Sequence, residues 1–292
     1  LIVLTAVAPP VDAVAQRAFR LRSEGFVSVP GALGAAALAD LVAALDRVYE
    51  DEIAQGRRGA GEPMHLLGAI GRDNAFLELV DHPAVFPVIW GELGWNIHLY
   101  HCHFDVTPPR SQPRPRSAWG WHQDGGRQNL ELESAPRPRM SLKVGFWLSD
   151  VSVPGRGNML IVPGSHERNT LARPEHPALA FDPPTGAVPV LASPGDALIF
   201  DRRLWHSRSD NLSTHTRRAI FLAYSYRWIR PRDEFGIDPS SRRFLSLSPV
   251  RRQLLGEPAG RHHQWGLERD AVPLYAALKR GARLDPTVPS HR

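Results

Sequence analysis

Cysteine is nearly absent from this sequence, with Cys102 as the only one. That excludes an intrachain disulfide framework and a thiolate zinc cluster, and it points to a reducing, cytoplasmic setting. Lysine is almost as scarce: Lys143 and Lys279 are the only two. The formal net charge of +5 is therefore carried by arginine. These arginines are scattered through proline-rich loops such as Pro113-Arg114-Pro115-Arg116 and Pro136-Arg137-Pro138-Arg139. No basic stripe is interleaved with aromatics, as a nucleic-acid surface requires, so no nucleic-acid partner is expected. No apolar run approaches the ~20 residues needed to span a bilayer, so no membrane partner is expected either. Residues 1–8 are apolar but short and lack a basic lead. They read as a loose terminus or an added strand, not a signal peptide.

What is present is enough apolar residue, 42% of the chain, for a sizeable core. The expectation is a single domain over 1–292, with a core at about 20–228 and a C-terminal cover over 229–292. Residues 11–24 read as an amphipathic helix, 25–31 as a short strand closed by a turn, and 34–55 as a second helix ending near Gly56. Residues 56–63 have no apolar pattern and read as a mobile loop. A helix is expected over 72–93, containing breaks at Pro83 and Pro87. The strand over 97–106 would place Ile97, Leu99, His101, His103 and Asp105 on one face. The other face would carry His98, Tyr100, Cys102, Phe104 and Val106. Further strands are expected over 141–150, 188–191 and 197–200, with loops at 107–118, 125–139 and 167–187. Loops beyond ~12 residues are usually functional or disordered, and the first two flank the motif described next. Beyond Arg230, Leu254-Leu255, Trp265 and Leu274-Tyr275 are spaced apolar anchors.

The chemistry concentrates in Trp121-His122-Gln123-Asp124-Gly125-Gly126 and Leu204-Trp205-His206-Ser207. Extended residues i and i+2 share a face, so His122 and Asp124 lean into the same space. With His206 they would form a two-histidine, one-carboxylate facial set, the kind that binds non-haem Fe(II) and leaves positions open. A bland alternative is that Asp124-Gly125-Gly126 is a surface turn. A rival metal set is His101, His103 and His122, as in three-histidine zinc sites. Arg217, eleven residues after His206, heads the apolar run 219–224. A buried guanidinium needs an anionic partner, and its planar fork suits a carboxylate. Lys143 sits in an equally apolar strand, where lysine is unusual. It would either reach outward to solvent or meet a carboxylate of a co-substrate or substrate.

These residues carry a resemblance to the phytanoyl-CoA dioxygenase family of Fe(II)/2-oxoglutarate oxygenases. It rests on Trp121-His122-Gln123-Asp124, on the run from Gly157 through Pro163-Gly164-Ser165-His166, and on Pro194-Gly195-Asp196. It continues through His206, Asn211 and Arg217-Arg218-Ala219-Ile220. The resemblance implies a mainly β (α+β) double-stranded β-helix, a cupin-like jelly roll with flanking N-terminal helices, as the many short strands also suggest. It implies that His122, Asp124 and His206 hold iron and that Arg217 grips the far carboxylate of 2-oxoglutarate, with Arg218 the runner-up. It further implies that Trp147 lines the co-substrate pocket and that His103 lies near it; Asn158 and His166 would be structural. The implied activity is O₂- and 2-oxoglutarate-dependent oxidation of a small molecule, hydroxylation first, with desaturation, epoxidation and cyclisation open. Asp124 argues against halogenation, since halogenating relatives replace this carboxylate with a small residue. A metal-free or other-metal cupin-like binding protein is the alternative from another class. The protein would be a monomer or homodimer. The sequence departs from the family pattern at Arg208, where a Ser is common, and at Thr107, where a Lys is common.

Overall fold

A computed structural model gives the architecture for residues 11–115, 120–171, 183–257 and 272–281. Residues 1–8, Trp265, part of the 107–118 loop and much of the 167–187 excursion lie outside the described residues. Among the described residues, nine strands build two antiparallel sheets. The larger holds β1 (Phe26–Val29), β2 (Met64–Leu67), β3 (Ile97–Thr107), β4 (Ser141–Trp147), β7 (Ala197–Asp201) and β9 (Arg217–Tyr226), in the order β1-β7-β4-β9-β3-β2. The smaller holds β5 (Met159–Ile161), β6 (Val188–Pro189) and β8 (His206–Arg208), in the order β6-β5-β8. This is the double-stranded β-helix, with helices outside the larger sheet.

The alternation of side chains along the central strands divides the interior. On β4, Leu142, Val144 and Phe146 enter one apolar cluster with the helices, while Trp147 enters a second cluster between the sheets. On β9, Ile220, Leu222 and Tyr224 join the helix-side cluster, and Ala219 and Phe221 the inter-sheet one. Helix α1 (Val11–Glu24) is fastened by Arg22 to Glu92, with Nη2 at 2.7 Å from Oε1. Helix α2 (Ala35–Ala54) buries Leu41, Ala44, Leu45 and Val48, residues three and four apart. Between α1 and β1, Gly25 has φ +81°, and a Cβ there would come within 2.6 Å of the His166 ring. His166 itself is fully buried, its Nε2 3.0 Å from the Arg22 carbonyl. Asn158 is likewise buried and donates to the carbonyls of Val151 and Val190.

Three expectations need correction. Residues 72–93 do not form one helix: α3 (Asn74–Leu77) and α4 (Phe86–Leu93) are separated by turns. Pro83 and Pro87 account for the split, since proline lacks an N–H and restricts the residue before it; Pro87 fits because it sits in the first turn of α4. Second, β3 is not uniform in facing. Its pairing with β9 shifts register between Leu99 and His101. Ile97 and Leu99 therefore pack on the helix side with Cys102, Phe104 and Val106, and only His101, His103 and Asp105 face the cavity. Third, the 125–139 loop contains a short helix, α5 (Gln128–Glu131). Strand β2, which carries His65, lies in a stretch to which the sequence reading assigns no element.

The described part of the 229–292 segment lies against β3. Asp233 Oδ2 accepts hydrogen bonds from the Cys102 amide (2.8 Å) and His101 Nδ1 (2.7 Å). In α6 (Pro249–Leu254), the buried Gln253 amide donates to the carbonyls of Trp95 and Ile97. No described helix is long and apolar enough to cross a membrane.

Candidate metal centre and its cavity

A cavity of about 460 Å³ opens between the sheets. His122 lies not in a strand but in a single antiparallel bridge with His206. The bridge is reciprocal: the His122 amide donates to the His206 carbonyl at 3.0 Å, and the His206 amide to the His122 carbonyl at 2.9 Å. The Asp124 amide donates to the Arg202 carbonyl at 2.8 Å. The backbone is thus extended through this stretch, and His122 and Asp124 share a face as their spacing requires. Gln123 points away and is buried, its amide donating to the carbonyls of Arg168 and Arg203 while its oxygen accepts from Arg137.

The ligand-type atoms of His122, Asp124 and His206 all lie within 4.8 Å of one another. Both imidazoles are oriented in the same way. Nδ1 of His122 donates to the Gly120 carbonyl and Nδ1 of His206 to the Leu204 carbonyl, each at 2.8 Å. With Nδ1 carrying the proton, Nε2 keeps its lone pair for a metal. Burial pushes the His206 imidazole down to about 4, so it is neutral at physiological pH. Burial opposes the charge on Asp124, but Lys143, with Nζ 2.7 Å from Oδ2, outweighs it and holds the carboxyl well below the usual range. Two imidazole nitrogens and one carboxylate oxygen form a donor set suited to a divalent transition metal.

A second group, His65, His103 and Asp105, also has ligand-type atoms within 4.8 Å of one another. Its carboxylate is already engaged. Asp105 Oδ2 lies 3.3 Å from both Arg208 Nη1 and Arg217 Nη1, and Oδ1 accepts from His65 Nδ1 at 2.8 Å. Two guanidinium groups on one carboxylate oppose a dication there. The zinc rival made of His101, His103 and His122 is not among the metal-capable groups of the described residues. His101 instead bridges Asp233 and His103, with Nε2 3.2 Å from His103 Nδ1. His103 lines the cavity and stacks on Phe221 with ring centroids 4.5 Å apart.

Arg217 is 2% exposed, and its Nε has no hydrogen-bond partner among the described residues. Burial lowers its guanidinium to about 10, which still leaves it charged at neutral pH. It lies over Gly157, whose φ is +70°; a Cβ there would come within 2.8 Å of Arg217 Cδ. Arg218 points the other way and pairs with Asp46 on α2, at 2.7 Å from Nε to Oδ1. The two departures from the family pattern meet, since Arg208 Nη1 donates to Thr107 Oγ1 at 3.3 Å. Trp147 does not line the cavity. It is fully buried and packs edge-on against Phe221 of the neighbouring strand, ring centroids 6.0 Å apart, and it is Phe221 that lines the cavity. The partner of Lys143 is Asp124, a residue of the candidate centre itself, and not solvent. Sequence reasoning missed His65 and gave Asp105 no role; no short-range signal marks either, since both acquire meaning only through pairing across strands.

A family model described as phytanoyl-CoA dioxygenase (PhyH) matches residues 21–219. Among solved structures, the chain is similar to the epimerase SnoN in complex with Fe3+, alpha ketoglutarate and nogalamycin RO. The identity is 24% and the TM-score 0.57, over 78% of this chain and 89% of that one. It is similar to SnoK, a non-heme alpha ketoglutarate dependent carbocyclase from nogalamycin biosynthesis, at 22% identity and TM-score 0.53, over 77% and 88% of the two chains. It is also similar to HygX from Streptomyces hygroscopicus with nickel and 2-oxoglutarate bound, at 14% identity and TM-score 0.57, over 80% and 94%. At these identities the structural likenesses speak for the fold. The family model spans well over half the chain, and the protein belongs to the phytanoyl-CoA dioxygenase family.

Proposed function

We propose that the protein is a non-haem Fe(II)/2-oxoglutarate-dependent oxygenase that hydroxylates an unactivated C–H bond of a small metabolite, as a tailoring step in natural-product assembly. One observation carries the reading: His122, Asp124 and His206 converge with both Nε2 atoms left for a metal, in the cavity where Arg217 has an unpartnered Nε. His122, Asp124 and His206 would hold Fe(II), and Arg217 would hold the far carboxylate of 2-oxoglutarate. When bound, iron with 2-oxoglutarate and O₂ supplies the oxidising chemistry. The chain's own part is orientation and dryness. The two backbone-held imidazoles fix the metal end, and the paired charges around Asp105 prepare the carboxylate end. Phe200 and Phe221 give the cavity apolar walls.

The whole chain is read as one catalytic domain, cytoplasmic, monomeric or homodimeric, with a small molecule as its substrate. SnoN and SnoK are described as an epimerase and a carbocyclase, so the test must separate outcomes. Anaerobic addition of Fe(II) and 2-oxoglutarate should give a weak visible charge-transfer band. A folded protein without that band would refute the oxygenase reading. Mass spectrometry of turned-over metabolites should show a gain of one oxygen; loss of two hydrogens would mean desaturation or cyclisation, and no mass change would mean epimerisation.

A further inference from the structure

Lys143 is the least expected member of the cavity. Lysine is rarely buried, yet Lys143 is 5% exposed on the inward face of β4. Its Nζ lies 5.8 Å from the centre of the Phe200 ring and 2.7 Å from Asp124 Oδ2. The other carboxylate oxygen, Oδ1, faces His206 Nε2 at 4.0 Å. The two oxygens of Asp124 therefore have different neighbours: one the Lys143 ammonium, the other the Nε2 of His206.

We propose that Lys143 is a positioning residue of the metal centre. It retains Oδ2 of Asp124, so that the carboxylate presents a single oxygen to the ion. A coordination position that a two-oxygen grip would close stays open for the co-substrate. The inference rests on the metal-centre reading given under Proposed function. It carries a physical cost, because a cation beside the carboxylate opposes a second cation at the same group. Lys143 thus weakens metal binding and strengthens what binds next. A side chain present only to fill or brace the strand would have no such opposed effects.

The test uses Co(II), an oxygen-stable probe, titrated calorimetrically into metal-free wild type and Lys143→Met, followed by 2-oxoglutarate into each Co(II)-loaded protein. The variant should bind Co(II) at least about tenfold more tightly and 2-oxoglutarate at least about tenfold more weakly. Lys143→Gln, which also removes the charge, should give the same pair of changes and replaces the Met variant should that one not fold. On wild type alone, the infrared difference spectrum on Co(II) uptake should show the wide splitting of carboxylate stretches typical of one-oxygen coordination. Unchanged or weaker Co(II) binding in a folded variant, or a two-oxygen infrared signature in wild type, overturns the inference. Wild type that takes up no Co(II) removes the metal centre itself, which is a separate and recognisable failure.

Discussion

Arg217 and Asp105 face each other at 3.3 Å in the cavity wall, on neighbouring antiparallel strands, and Arg208 reaches the same carboxylate oxygen at the same distance. The cluster holds two guanidinium charges and one carboxylate, leaving one positive charge over. A ligand bringing one further carboxylate would complete it. This is a more specific arrangement than a lone arginine anchor. Arg217→Ala should weaken 2-oxoglutarate binding by ~1.5–3 kcal/mol, the scale of a charge-assisted hydrogen bond. Calorimetry on the metal-loaded protein reads this directly, and unchanged affinity would move the anchor to Arg208.

Asp105→Asn tests the other half of the pair. Without the carboxylate, the buried Arg217 charge loses its counter-ion, and breaking such a pair costs roughly 3–5 kcal/mol. The metal-free variant should melt well below wild type. Saturating 2-oxoglutarate with metal should then raise its melting temperature by more than it raises that of wild type, because the added carboxylate supplies the missing charge. An equal rise in both proteins would show that the co-substrate does not reach this cluster.

His98 offers a pH prediction away from the metal centre. It is 3% exposed, its Nε2 has no partner, and burial pushes its imidazole down to about 4. In the unfolded chain the same group titrates near 6.5. The unfolded state therefore takes up the proton first as pH falls. The stability that His98 contributes is fully present above about 6.5 and is lost progressively down to about 4, roughly 3 kcal/mol in total. Urea midpoints of the metal-free protein at pH 7, 5.5 and 4.5 should fall accordingly, and His98→Asn should flatten the trend. An equal slope in that variant would assign the acid sensitivity to other groups.

Much of this was legible in the sequence, for identifiable reasons. Helices α1 and α2 and strands β4 and β9 have long, regular apolar periods, and β9 places Arg217 and Arg218 on opposite faces by alternation alone. The His122–Asp124 pair was readable because i and i+2 share a face in any extended backbone. The bulge in β3 was not readable. It moves Ile97 and Leu99 to the helix side, and nothing local to that run announces an extra residue. Strand β2 is four residues long and gives too little pattern to recognise, so His65 went unseen with it. Lys143 stood out as an anomaly, but its partner lies nineteen positions away on another segment, and contacts of that kind come only from the fold. The pocket position of Trp147 was implied by the family resemblance and not by its own strand; here the ring is fully buried and packs against Phe221.

The division of labour between the two sheets has a mechanical consequence. His206 belongs to the three-stranded sheet and Arg217 to the six-stranded one. A molecule chelated beside the first and gripped by the second would act as a strut across the sandwich, its carbon chain a ruler for the gap. Dicarboxylates one methylene longer or shorter would have to be accommodated by sliding one layer over the other, and the cluster that joins Met159 and Ile161 of the smaller sheet to Phe200 and Phe221 of the larger resists such shear.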